Sequence, residues 1–311
     1  MRYWLVMPAA GVGRRFGNTK PKQYAPLQGR TVIEWALAPF LADPSCAGVS
    51  VSLAADDPYW GEVADRLAKL PGRVPELIFA GGGVERSHSV RKGLAALGTR
   101  AAPDDWVLVH DAARPCLSAN DLQHLLDRLH SHPVGGLLAT PAADTLKRAS
   151  AEPSVSADPR ASTAPRTSAE RRRRTYIRSE PASEPDTSAG PRTSTDPRAS
   201  VPPRTSAEPH ASPAPSSGTT ADPEVAQTVD RAGLWRALTP QMFRYELLCD
   251  ALDRAIANGR LPTDEAQALE WVGERPVLVQ GSAANIKITS ADDLVLAAAL
   301  LNARENTPVA R

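Results

Sequence analysis

Short apolar runs recur along the first half of the chain, and between them apolar positions return at helical spacing. Tyr3–Met7, Val49–Leu53, Leu77–Ala80, Asp105–Val109 and Val134–Ala139 read as strands. Thr31 and Glu34 have the spacing of a capping box and open an apolar-rich helix through Phe40. Pro58 suits the first turn of a helical stretch through Leu70, and a further amphipathic helix runs to Leu97. Strands alternating with helices predict a parallel sheet with crossover helices.

From about Ser150 the pattern stops. As far as Pro223 the chain holds Pro, Ser, Thr, Ala and Arg with almost no large apolar residue, which predicts disorder. Asp-Pro-Arg-Ala-Ser occurs at 158–162 and 196–200, but the repeats are irregular and have no face to bury, so no solenoid is expected. The run Arg171–Arg174 reads as a solvated basic patch. Past Val225 the pattern predicts a short helix at 234–237, a turn through Leu238–Phe243 and a helix from Tyr245 to Asn258. Thr263-Asp264-Glu265 caps a helix through Trp271. Val277–Val279 is a last strand, Asn285–Thr289 is extended, and Ser290 caps a C-terminal helix through Leu301. The expected organisation is one α/β domain in two parts, 1–149 and 224–311, interrupted by an insertion at 150–223.

Composition narrows this little. The 311 residues are 42% hydrophobic, enough for a large core, and the net charge of +1 gives no global attraction to nucleic acid or membranes. Cys46, Cys116 and Cys249 are far apart and odd in number, which argues against a disulfide framework and favours the cytoplasm. No apolar run approaches a membrane span or a signal-peptide core.

The candidate chemistry lies where predicted strands end. Tyr3–Met7 runs into Pro8-Ala9-Ala10-Gly11-Val12-Gly13-Arg14-Arg15-Phe16-Gly17, followed by Pro21-Lys22-Gln23. Small residues open backbone N–H groups to phosphate oxygens, and Arg14, Arg15 and Lys22 supply positive charge. The third glycine comes one place late for a dinucleotide fingerprint, and Gly-Lys-Ser/Thr is absent from the segment, so it is not a Walker loop. A glycine turn with surface arginines fits the same residues. Gly81-Gly82-Gly83 with Ser87 and Ser89 follows another strand, where glycines permit close approach and a serine can bond a ligand or cap a helix. Asp111 in His110-Asp111-Ala112-Ala113-Arg114-Pro115 ends the next strand. It is placed for a divalent metal or a ribose hydroxyl, with a salt bridge to Arg114 as the alternative.

Seven motifs in order resemble the 2-C-methyl-D-erythritol 4-phosphate cytidylyltransferase family over roughly 2–148 and 226–302. They are the Pro8–Arg15 loop, Pro21–Tyr24, His110–Pro115, Thr228–Arg231, Leu238–Gln241, Thr263–Glu265 and Asn285–Lys287. The resemblance implies a Rossmann-like, mostly parallel sheet with helices on both faces, of the nucleotidyltransferase type, carrying a β-arm that the insertion interrupts. It implies transfer of CMP from CTP to 2-C-methyl-D-erythritol 4-phosphate with Mg²⁺, by a homodimer in isoprenoid synthesis. By motif match, Arg15, Lys22 and Lys287 offset charge on the reacting phosphorus. Ala9, Ala10, Gly11, Gly82, Gly83 and Ser89 fall in the nucleotide site, with Asp111 and Ala112 near ribose and metal. Arg114, Thr145, Arg231, Thr239 and Thr263 fall at the second substrate, with Lys287 reaching it too, and Thr145 and Arg231 are expected to act across a subunit boundary. Val84 stands where many relatives carry an acidic residue. A cytidylyltransferase for another polyol phosphate, such as ribitol 5-phosphate, and a nucleotide-binding scaffold are the competing readings.

Overall fold

Strand β1 (Tyr3–Pro8) is buried along nearly its whole length, and its two faces feed two different cores. Tyr3, Leu5 and Met7 enter one apolar cluster with Ile33, Leu37 and Phe40, whereas Trp4 and Val6 enter another with Val90, Leu94 and Leu97. A strand covered on both sides reads as a continuous apolar run, the expected form for a parallel sheet under two helical layers. The structure is a computed structural model, and it describes residues 1–11, 20–72, 74–150 and 222–305. Arg15, the Arg171–Arg174 run and the expected disordered insertion, apart from its terminal residues, lie outside the described residues.

Described elements in order are β1, a 3-10 turn at Lys22–Tyr24, the small pair β2 (Pro26–Leu27) and β3 (Arg30–Thr31), and α1 (Val32–Leu41). Then come β4 (Cys46–Leu53), α2 (Trp60–Leu67), β5 (Glu76–Gly81), α3 (Arg86–Leu97), β6 (Trp106–Val109) and α4 (Ala119–Leu129). After β7 (Gly135–Pro141), β8 (Leu146–Ala149) and β9 (Val225–Val229) follow β10 (Trp235–Arg244), α5 (Tyr245–Ala257), α6 (Glu265–Trp271), β11 (Val277–Gln280) and α7 (Ala291–Glu305).

The seven-stranded sheet has the order β11-β7-β10-β6-β1-β4-β5. β1 pairs in parallel with both β4 and β6, and β10 runs antiparallel to both β6 and β7. The mostly parallel α/β fold expected from the sequence is therefore present. The chain first steps outward from β1 through β4 to β5, then returns to β6 on the other side. That reversal opens a crevice at the carboxyl ends of β1 and β6, where open α/β sheets hold ligands.

Two compact units divide the chain: residues 1–146 with 230–311, and residues 147–229. The second is described through β8 and β9, which pair with each other, with Lys147 Nζ donating to Thr228 Oγ1 at 2.7 Å.

The capping box at α1 forms as read: Thr31 N and Oγ1 donate to Glu34 Oε2 at 2.8 and 2.6 Å. Three local expectations need correction. Pro58 lies outside α2, whose cap is Tyr59. Of the helix expected at 234–237, Trp235–Ala237 belong to β10, as does the whole of the turn expected through Leu238–Phe243. Trp235, Arg236 and Ala237 pair with Pro141, Thr140 and Ala139 of β7, so cross-strand pairing overrides local helix propensity. The ladder is irregular between Ala237 and Gln241, where Pro240 lacks an N–H to donate. Finally, α7 continues past Leu301 to Glu305.

Candidate active site

Three loops meet at the crevice, and each is held by hydrogen bonds to neighbouring elements. Gln23 Nε2 donates to Ala9 O at 2.7 Å and Gly11 O at 3.1 Å, fixing the loop that leaves β1. Beside it, Gly82 N donates to Leu53 O at 2.6 Å. A Cβ on Gly82 would collide with the Ala10 side chain, so the loops after β1 and β5 touch because both residues are small. Gly83 N donates to Ser89 Oγ at 2.9 Å, and that hydroxyl lies 3.3 Å from Glu85 O. Ser89 thus braces the loop from within α3.

The loop after β6 is fixed by a relay through its buried histidine. His110 Nε2 lies 3.1 Å from Arg114 O, and Nδ1 lies 3.0 Å from Thr239 Oγ1. A carbonyl only accepts, so Nε2 carries the proton and neutral Nδ1 accepts from the Thr239 hydroxyl. Thr239 Oγ1 in turn accepts from Asp111 N at 3.1 Å. Burial lowers the His110 pKa to about 4, which keeps the ring neutral. With both nitrogens engaged and no exposure, His110 positions Asp111 and is no general base.

A cavity of about 520 Å³ is lined by Ala9, Ala10, Gly11, Lys22, Gly83, Ser89, Asp111, Ala112 and Lys287. A second, of about 200 Å³, is lined by Arg114, Thr239, Thr263 and Asp264, and shares Arg86, Asp111 and Lys287 with the first. Asp111 therefore stands in the wall between them. Its carboxylate meets Arg86 Nε at 2.9 Å, Lys287 Nζ at 2.9 Å and Arg114 Nε at 3.5 Å. Burial alone would raise the Asp111 pKa, but these three cations outweigh it and hold the group well below the usual carboxylate range.

Lys22 Nζ donates to Ile288 O at 2.8 Å, and Ile288 N donates to Ala113 O at 2.8 Å. Residues distant in sequence thus bring Lys22 and Lys287 to one cavity. Thr145 and Arg231 are exposed and line neither cavity. The sequence reading passed over Arg86 and Glu265. Arg86 is bidentate to Glu265, at 2.6 and 3.0 Å, across a separation of 179 residues. The clue lay in an arginine that opens a helix three residues past a run of glycines.

The family model described as 2-C-methyl-D-erythritol 4-phosphate cytidylyltransferase matches residues 3–164 and 217–303. The protein of that name from Halorhodospira halophila is 41% identical over 305 residues, covering 97% of this chain and 95% of that protein. Its namesake from Vibrio vulnificus is 37% identical, covering 94% and 91%. A crystal structure of 4-diphosphocytidyl-2C-methyl-D-erythritol synthase superposes with a TM-score of 0.63 at 29% identity, covering 97% of this chain and all of that one. The Francisella tularensis 2-C-methyl-D-erythritol 4-phosphate cytidylyltransferase gives 0.61 at 26% identity, with 96% and 100% covered. With a sheet, a crevice and a match spanning both halves of the sequence, this chain belongs to the 2-C-methyl-D-erythritol 4-phosphate cytidylyltransferase family.

Proposed function

We propose that this chain transfers CMP from CTP to 2-C-methyl-D-erythritol 4-phosphate, releasing pyrophosphate and 4-diphosphocytidyl-2-C-methyl-D-erythritol, in isoprenoid synthesis. The observation that carries it is the meeting of Lys22 and Lys287 at one cavity, beside a second cavity lined by Arg114. CTP occupies the larger cavity, with its base toward Ala10, Gly82, Gly83 and Ser89. The sugar phosphate sits in the smaller one, against Arg114, Thr239 and Thr263. A phosphate oxygen of the sugar attacks the α-phosphorus, forming the new P–O bond as the bond to the bridging oxygen of pyrophosphate breaks. A phosphate monoester needs no deprotonation to attack, which agrees with the engaged, neutral state of His110 among the described residues. Lys22, Lys287 and Arg15 offset the charge that builds on the reacting oxygens, so positioning and electrostatics supply the acceleration.

The fit of a magnesium ion rests on Asp111. Among the described residues no group of three or more His, Cys, Asp or Glu gathers. Mg²⁺ needs only one or two protein carboxylates when phosphate oxygens complete its shell. Asp111 opens on both cavities, and the Lys287 that shares its oxygen has a side chain 40% exposed, so the residues fit a phosphate-borne ion. When bound there, the ion would neutralise triphosphate charge. Thr145 and Arg231 serve a neighbouring subunit's site in a homodimer. Three buried cysteines outside any disulfide favour the reducing cytoplasm as the compartment. Among the described residues no helix is long and apolar enough to cross a membrane.

Pyrophosphate release is measured with CTP and methylerythritol phosphate, with ribitol 5-phosphate in parallel. Turnover with the first alcohol is expected. Preference for ribitol 5-phosphate, or release with neither, rejects the assignment.

A further inference from the structure

The two oxygens of Asp111 have partners of different kinds. Oδ1 accepts from Arg86 Nε, whereas Oδ2 faces Lys287 and Arg114. The outer nitrogens of Arg86 close as a fork on Glu265, Nη1 to Oε1 at 2.6 Å and Nη2 to Oε2 at 3.0 Å. One planar group therefore binds two carboxylates at once, which a lysine ammonium cannot reproduce in the same geometry. Exposure separates the partners: the Arg86 side chain is 26% exposed and Glu265 1%, against 40% for Lys287.

The carboxylates belong to different parts of the site. Asp111 follows β6, while Glu265 opens α6 directly after Thr263 and Asp264, which line the smaller cavity. Arg86 itself opens α3, behind the glycine loop on the larger cavity. Gln241 holds α6 from another side, accepting from Ala266 N at 2.8 Å and donating to Asp264 Oδ2 at 3.0 Å. The α6 end is thus a fixed post to which Arg86 fastens Asp111.

We propose that Arg86 is a positioning residue: it locks Asp111 to the start of α6, so that Lys287 is the exchangeable partner and moves to a phosphate group without the carboxylate losing its place. This deepens the transfer reading above and rests on it. Arg86 acts through Asp111 and need not touch substrate. Without the lock, Lys287 becomes a principal anchor of Asp111, and its departure toward phosphate leaves the carboxylate free to turn.

Removing Arg86 alone would strand Glu265 as a buried unpaired charge, so folding and positioning would be confounded. The informative variant is Arg86→Met combined with Glu265→Gln, which removes both members of the pair. The thermal midpoint should stay near that of the unaltered protein. The value of kcat should fall by about 100-fold, the order expected for a reacting group misplaced by about 1 Å, while KM for CTP changes by less than about threefold. Arg86→Lys should recover kcat only in part. A folded double variant with unaltered kcat overturns the proposal, because Arg86 would then be no more than a counter-ion for Glu265. The unaltered protein, assayed alongside, separates the two claims: turnover there with a normal variant rejects only the positioning role. If the unaltered protein releases no pyrophosphate, the transfer reading fails and a crystal structure of the double variant decides the other claim. A turned Asp111 carboxylate supports the lock, and an unmoved one overturns it.

Discussion

Lys22 Nζ is bonded to the carbonyl of Ile288, next to Lys287, so the two lysines share a support as well as a cavity. Lys22→Ala should lower kcat by about 100- to 1000-fold, the usual loss for one donor that stabilises developing charge, with the circular dichroism spectrum unchanged. A kcat near that of the unaltered protein would dismantle the site. His110 has a different readout, which is acid stability. Its folded pKa of about 4 lies below the unfolded value of about 6.5, so the unfolded chain binds the extra proton first as pH falls. Stability is full above the unfolded pKa and should drop by about 3 kcal/mol as pH falls from 6.5 to 4. Urea melts across that range measure it, and a flat midpoint would show that the ring titrates normally. Lys287 was reached only through its motif match, whereas Lys22 and Asp111 were legible in sequence because one follows a glycine loop and the other a strand. Glu265 was not, since an acidic residue beside an Asp264 cap already has a sufficient local reason, favourable charge at a helix start.

Elements were legible where burial and local propensity agreed, as along β1 and the capped α1. They were misread at β10, where Leu234–Ala237 favours helix locally but the chain lies between β6 and β7. Only the antiparallel return of a distant strand supplies that constraint, and it leaves no periodic trace over four residues. β10 also delivers Thr239 to the His110 relay, so its placement shapes the site. The contact between the loops after β1 and β5 gives a test at this scale. Gly82→Ala places a methyl group against Ala10, and the backbone carbonyl of Leu53 lies only 3.0 Å from the new carbon. Overpacking of this kind costs about 1–3 kcal/mol and should push the loops apart. KM for CTP should rise by about tenfold, roughly 1.4 kcal/mol of binding. Ala10→Gly in the same chain should recover part of the loss and not all, because the Leu53 carbonyl remains. An unchanged KM would separate the glycine loop from the nucleotide site.

At the scale of the whole molecule, one sheet draws on both parts of the chain, with β10 and β11 from beyond residue 224 completing what β1, β4, β5, β6 and β7 begin. The composition change near Ser150 made the interruption visible, and the family match itself passes over residues 165–216. Within the second unit the flanks of the proposed insertion are already side by side, since Ser150 N donates to Glu224 O at 2.9 Å. Four residues with that spacing suit a tight hairpin turn, so residues 151–223 can be replaced by Asn-Gly without moving either strand. Closing a long loop costs entropy that grows as about 0.6 kcal/mol per doubling of length, so shortening it this far should stabilise the fold by about 3 kcal/mol. If the insertion forms no part of the site, kcat and both KM values should stay within about twofold. The homodimer proposed above should persist in light scattering, and the melting temperature should rise by several degrees. A shortened protein that is monomeric and inactive would place residues from 151–223 in the subunit contact of the proposed homodimer. A dimer with low kcat would place them at the catalytic centre, and either result would overturn the division of the chain into two halves and an insertion.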